Sequence, residues 1–320
     1  MKKTREYGLD NLRGLLIVLV VLGHLLEICG SFPGAGFLYR TIYSFHMPAF
    51  LFLSGYFARF DRRKIVFGLF LPYVVFQTGY ILFDRLTLGE NTPLQFTTPY
   101  WILWYLMADI LYHLLIPMYD TTDRKRQCLG LAVTFALSLM TGYDSTVGYR
   151  LTLSRFLVFQ PWFLLGFYSR RSGWIGAMSS RMESRKHGKM LLTGAVCFLS
   201  AVMHLLSFRS EILYGAHPYG TLVYGPLERS FAGLAALVWI GFGCTVLLPL
   251  LLRQLPLLTA LGQNTLPVYL LHGFAVRYLQ RCCPGWLENP VWVLPAAVLI
   301  LAAFGNPFVG GIFRNIFREP

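Results

Sequence analysis

Apolar residues along this chain gather into long runs separated by short polar loops, several of them basic. Ten runs stand out, at residues 12–29, 37–58, 65–83, 100–118, 128–142, 155–169, 190–208, 230–252, 257–277 and 291–312. Most approach the ~20 apolar residues that a helix needs to cross a bilayer. The fifth and sixth are shorter and would rely on tilted neighbours or local thinning. The pattern predicts an all-α integral membrane protein of about ten transmembrane helices, with residues 1–320 forming a single polytopic domain. The segment MKKTREY before the first run has the outline of a signal peptide. The run it precedes is long, carries an arginine and a histidine, and is followed by further spans, so a retained first span is expected.

Composition supports this class. Hydrophobic residues make up 55% of the 320 and charged residues only 13%, against ~25% charged in ordinary soluble domains. The formal charge of +13 would suggest nucleic acid in a soluble protein. Here the basic residues sit in loops between apolar runs, which points to membrane topology and anionic lipid instead. With the N-terminus inside, the cytoplasmic segments hold 19 Lys and Arg and the outer segments 8. A multi-pass protein of the cell membrane with both termini cytoplasmic is therefore expected. The six cysteines show no CxxC or His-spaced pattern, so neither a disulfide framework nor a metal site is expected. Cys282 and Cys283 are adjacent and receive no role.

The polar residues inside the runs carry the candidate chemistry. In the first run Arg13 and His24 are eleven residues apart, which places them on one helix face about 16 Å apart along the axis. Ionisable groups at membrane depth are costly and mark functional sites. The plainer alternative is a snorkelling arginine and a histidine satisfied by a neighbouring helix. Glu27 follows His24 by three residues and could hold its ring, as general bases are often held. A plain carboxylate at the interface explains Glu27 as well.

The second run carries His46 beside Pro48, where a kink is expected. A short hairpin joins the two runs, so His24 and His46 could meet at similar depth. Ser54 and Gly55 read as a close-packing site rather than a nucleophile, because no Gly-x-Ser-x-Gly elbow surrounds the serine. Arg59, Arg62, Arg63 and Lys64 follow on Arg13's side. Ordinary positive-inside charge accounts for them, but with Arg13 they could grip the phosphates of a nucleotide-like donor. In the fourth run Asp109 and His113 are spaced to pair on one helix face. Trp101, Trp104 and Tyr105 are an interfacial belt or a stacking platform for a sugar. His272 lies in the outer half of the ninth run, level with His24.

LDNLRGLLIVLVVLGH followed by YSFHMPAFLFLSGYF resembles the N-terminal signature of the membrane-bound acyltransferase-3 family, whose first helix carries an Arg and a His separated by ten residues. TPYWILWYLMADIL and NTLPVYLLHGF are similar to later motifs of its short, fucose-4-O-acetylase-like branch. The resemblance implies transfer of an acyl group, most often acetyl from cytoplasmic acetyl-CoA, to a hydroxyl of a surface or lipid-linked glycan. By position it makes Arg13 and His24 the essential pair and relates Arg59-Phe-Asp-Arg62 to an Arg-x-x-Arg element of the family. Larger members add an extracellular SGNH hydrolase-like domain. None follows within these 320 residues, which implies that the membrane domain completes the reaction or passes acetyl to another protein.

The residues fit that chemistry. Ester formation needs a base, oxyanion donors and a site for a large anionic donor. His24 is the expected base, with Glu27 behind it. His46 or Tyr43 would supply oxyanion or acceptor hydrogen bonds, and Arg13 with Arg59, Arg62, Arg63 and Lys64 would hold acetyl-CoA. Trp101, Trp104, Tyr105, Asp109 and His272 are candidate acceptor contacts. Membrane lipids and a hydroxyl acceptor are the expected partners, with a second copy or glycan-assembly proteins as further candidates. Two other readings stand beside this one. Buried His and Asp in a kinked bundle also suit a proton-coupled transporter, although no paired broken helices mark corresponding halves. A membrane sensor or assembly subunit that keeps the fold without catalysis is the other.

Overall fold

The computed structural model describes residues 7–29, 32–173, 187–205, 210–219, 225–252, 255–286 and 289–317. Each of the ten apolar runs is helical, in whole or in large part. In chain order the main elements are α1 (Tyr7–Ile28), α2 (Ala35–Phe57), α3 (Lys64–Leu88), α4 (Trp101–Tyr119), α5 (Arg124–Met140), α6 (Leu153–Ser172), α7 (Gly188–Leu205), α8 (Pro226–Leu247), α9 (Pro256–Gln263), α10 (Thr265–Cys282), α11 (Pro290–Phe304) and α12 (Pro307–Ile316). No strand occurs among the described residues.

Taken singly, α1, α3, α4, α7 and α8 are long and apolar enough to cross a membrane. The α11–α12 pair, bent by 50°, makes a sixth if it counts as one span. The other expected spans are helical but shorter, broken or more polar. For α6 the reason is its position, since 14 of its 20 residues are buried. A helix surrounded by protein does not meet lipid and tolerates polar groups. The residues Lys2, Lys3, Arg5, Arg181, Arg185, Lys186, Arg209, Arg253 and Arg318, on which much of the charge asymmetry rests, lie outside the described residues.

Glycines set the closest approaches in the bundle. A β-carbon on Gly55 would strike the Phe163 carbonyl, and one on Gly166 would strike the Phe52 carbonyl. The backbones of α2 and α6 therefore touch, as small residues permit inside membranes. Gly55 is thus a packing residue, as its sequence context suggested. Gly14 and Gly262 do the same for α1 and α9, meeting the Leu258 and Asp10 carbonyls. Fully buried Asn11 ties that contact, donating to the Leu251 carbonyl at 2.8 Å and accepting from Thr259 at 2.7 Å. Pro48 lies inside α2, and the helix continues through it.

The ninth run is two helices, with the break at Asn264. The tenth bends at Gly305 and Asn306. Asn264 joins the two breaks: it donates to the Ala260 carbonyl at 2.8 Å and the Gly305 carbonyl at 3.4 Å, and accepts from Arg314 at 3.0 Å. Carbonyls freed where helices break must find partners in a membrane protein, and one buried amide serves both breaks.

Candidate active site

The centre of the site is built within one turn of α1. His24 and Glu27 share a helix face, and Nδ1 of His24 lies 3.0 Å from Oε2 of Glu27. Tyr39 and Tyr43, one turn apart on α2, both donate to the other carboxylate oxygen, at 3.0 and 2.6 Å. Tyr43 is also 3.2 Å from His24 Nδ1, and Tyr39 pairs with the Tyr214 hydroxyl. Gly23 makes room for this arrangement, since a β-carbon there would be 3.0 Å from the Tyr43 ring. A carboxylate can only accept, so the His24 proton belongs on Nδ1, and Nε2 keeps the lone pair. Such a ring is oriented to take a proton.

The imidazole stacked on His24 comes from the other end of the chain. His272 of α10 lies at 5.4 Å between ring centroids, nearly parallel, and Trp101 meets His24 edge-on at 4.7 Å. His46 packs edge-on against Tyr43 at 4.7 Å and reaches His24 through that ring. His46 and His272 are fully or almost fully buried. Each directs Nδ1 at a backbone carbonyl one turn back, Ile42 for His46 and Val268 for His272, at 2.8 and 3.0 Å. Both rings, when neutral, therefore offer Nε2 as an acceptor. The Nε2 of His272 is buried, with no hydrogen-bond partner among the described residues. Trp101 adopts φ +26°, a left-handed backbone that is unusual for a bulky residue and recurs at functional sites. Gln77 fixes the loop that delivers it, bonding to the Gln95 and Thr98 carbonyls at 2.8 and 3.1 Å and to the Tyr100 amide at 2.8 Å.

Two chambers meet at His24. The first, about 290 Å³, runs from Arg13 to His24 and is also lined by Ser54, Lys64, Tyr105 and Asp109. Arg13 places its guanidinium 4.1 Å from the centre of the Phe57 ring. Ser54 donates to Asp109 at 2.6 Å, so its hydroxyl is engaged with a carboxylate. His113 donates Nδ1 to the Asp109 carbonyl at 2.9 Å and turns Nε2 to Lys64 Nζ at 3.3 Å. Lys64 opens a π-helical turn, Lys64–Phe70, a local irregularity frequent at functional sites. Arg59, Arg62 and Arg63 are exposed beside Lys64 and lie outside the chamber lining.

The second chamber, about 230 Å³, lies on the Glu27 side and is lined by His24, Glu27, Tyr43, His46, Trp101 and Trp104, with Arg155, Tyr149 and His217. His24 and Trp104 belong to both walls. The predicted residues thus divide. Tyr43, His46 and Trp101 line the second chamber, Tyr105 and Asp109 stand with Arg13 in the first, and His272 backs His24.

The sequence reading missed Arg155 as a site residue. Its guanidinium lies 5.0 Å from the Trp104 ring and 5.1 Å from Tyr149, and Nε donates to the Tyr214 carbonyl at 3.1 Å. The available signal was an arginine inside an apolar helix, discounted as flanking charge. Tyr149, Tyr214 and His217 carried no such signal. Burial, with the nearby Arg155 charge, holds His217 below the ordinary histidine range. Among the described residues no three His, Cys, Asp or Glu side chains gather in a metal-binding group.

Residues 6–305 match the family model described as an acyltransferase domain, acyltransferase 3. The chain is 26% identical over 332 residues to nodulation protein NolL of Sinorhizobium fredii, covering 96% of this chain and 86% of that protein. It is 24% identical over 330 residues to the nodulation protein NolL of Mesorhizobium japonicum, covering 95% and 84%. With a helical bundle suited to a membrane and a family match that spans nearly its whole length, the chain belongs to the acyltransferase 3 family and is a membrane acyltransferase.

Proposed function

We propose that this protein is an O-acyltransferase that moves an acyl group, most simply acetyl from cytoplasmic acetyl-CoA, to a hydroxyl of a surface or lipid-linked glycan, with His24 as general base. The observation that carries the reading is the meeting of two chambers at a histidine whose Nδ1 faces a carboxylate. Arg13 and Lys64 make the first chamber cationic, which suits the phosphates of the donor and supports a cytoplasmic opening on that side. Both termini are then cytoplasmic, and the protein resides in the cell membrane. The exposed Arg59, Arg62 and Arg63 draw the anionic donor to the entrance.

The acceptor enters the second chamber, where Trp101 and Trp104 offer aromatic faces to a sugar. Its hydroxyl oxygen attacks the thioester carbonyl, a C–O bond forms, and the hydroxyl proton passes to His24 Nε2. The C–S bond breaks, and the same proton leaves with the thiolate as free thiol. Glu27 holds His24 in the useful tautomer and balances its transient charge. Arg155 is a partly buried cation in the wall of the second chamber and provides the positive field for the developing oxyanion. His46 lines the second chamber and presents a lone pair, so it suits a further acceptor hydroxyl.

The test uses inverted membrane vesicles with acetyl-labelled acetyl-CoA, comparing wild type with His24→Ala at equal protein level. Thiol release and base-labile label on glycan are expected with wild type alone, and the variant should fall by about 10²–10⁴-fold. Equal turnover by folded His24→Ala protein would remove the base assignment. Absence of thiol release and label, with native acceptor present, would remove the acyl-transfer reading.

A further inference from the structure

Tyr43 belongs to the wall of a third cavity as well, of about 250 Å³, enclosed by α2, α5, α6 and α8. Its walls are mostly apolar, with Phe135, Val158, Trp162 and Ile212 among them. Arg229, in the first turn of α8, lines the cavity and is only 5% exposed. Its Nε and Nη1 are buried and have no hydrogen-bond partner among the described residues. The Tyr219 ring lies 5.4 Å from the guanidinium carbon.

No carboxylate in the described wall answers that charge. The adjacent Glu228 is engaged at its own helix start, where Oε2 accepts the Gly225 amide at 2.8 Å. Ser44, Ser138 and Ser230 give their protons to the Thr41, Val158 and Pro226 carbonyls. A buried guanidinium with open donors is costly unless an anion meets it, and a phosphate oxygen takes such an N–H in a strong, charge-assisted bond. The positive end of α8 favours an anion at the same place.

The exposed part of the lining indicates where the anion comes from. Leu234 and Leu237 line the cavity and are 49% and 40% exposed on α8, one of the apolar spans. On such a helix exposed leucines face lipid. The ligand that fits has an anionic head for Arg229 and a hydrocarbon chain for the apolar wall, and the anionic amphiphiles of membranes carry phosphate heads.

We infer that this cavity binds a phosphate-headed membrane lipid, with its head on Arg229 and its chain between α2, α6 and α8. The site goes beyond acyl transfer and does not depend on it. The cavity shares Tyr43, the residue that donates to Glu27, with the second chamber.

Native mass spectrometry of the detergent-purified full chain tests this without acyl donor, so its outcome is separate from the catalytic reading. Three probes are titrated: dioleoyl phosphatidic acid, dioleoylglycerol with the same chains and no phosphate, and inorganic phosphate. Phosphatidic acid should bind about tenfold or more tightly than dioleoylglycerol, and Arg229→Gln should lose about as much. Gly233→Leu keeps the arginine but fills the cavity, since a β-carbon at Gly233 comes no nearer than 4.0 Å to Trp162. It should weaken phosphatidic acid to a similar extent, and it decides the matter if Arg229→Gln fails to fold. Equal retention of the two lipids overturns the proposal. So does wild-type retention by Gly233→Leu, or displacement of the lipid by inorganic phosphate at equal concentration.

Discussion

His24 and Glu27 face each other at 3.0 Å across one turn of α1, with the second carboxylate oxygen occupied by two tyrosine hydroxyls. Glu27 is thus held from α2 while it orients a ring on α1. Removing its charge while keeping its shape isolates that role. Glu27→Gln should lower kcat by at least about tenfold, because the amide can present either a donor or an acceptor to Nδ1. KM for the acyl donor should change little, since Glu27 lines only the second chamber. Steady-state kinetics on thiol release would check both. A rise in donor KM with kcat intact would contradict this orienting role.

Arg13 and the exposed arginines near α3 should behave differently. Arg13 lines the chamber that leads to His24, so Arg13→Gln should raise the acetyl-CoA KM by about tenfold or more, the scale of a lost charge-assisted contact. Replacing Arg59, Arg62 and Arg63 together should produce a smaller rise that disappears as salt increases, because exposed charges are screened. Donor KM measured at low and high salt separates the two patterns.

Gly166 should accept no side chain. Its α-carbon lies where α6 meets the α2 backbone at Phe52, so Gly166→Ala must push two buried helices apart. Overpacking of this kind costs roughly 1–3 kcal/mol. Thermal unfolding in detergent should show a clear drop in Tm for Gly166→Ala, and none for alanine at Gly194, where a β-carbon meets nothing within 4 Å. An unchanged Tm at Gly166 would refute the backbone contact.

Asn264→Leu removes the amide that serves both helix breaks. The Gly305 carbonyl loses that donor and Arg314 loses an acceptor, for a cost of roughly 1–3 kcal/mol. Asn264→Asp keeps the acceptor for Arg314 but loses the donor, and should be intermediate. Equal Tm values for the three proteins would show that water or other groups already serve these atoms.

The sequence by itself determined the helical segments and the shared face of Arg13 and His24. Both are local properties, set by runs of apolar residues and by the 3.6-residue turn. It also carried the His24–Glu27 pair, because residues three apart on a helix lie on the same side. The tertiary structure decided who surrounds that pair. His272 is stacked on His24 across almost 250 positions of chain, Trp101 is aimed by a loop that Gln77 holds, and Arg155 was indistinguishable from flanking charge until α6 proved to be an interior helix. It also split the basic cluster, keeping Lys64 in the chamber wall and leaving Arg59, Arg62 and Arg63 outside. Periodicity tells which face of a helix is apolar; it does not tell which other helix that face meets. In a membrane, where lipid is as apolar as a leucine, that choice falls to small residues and a few buried polar groups.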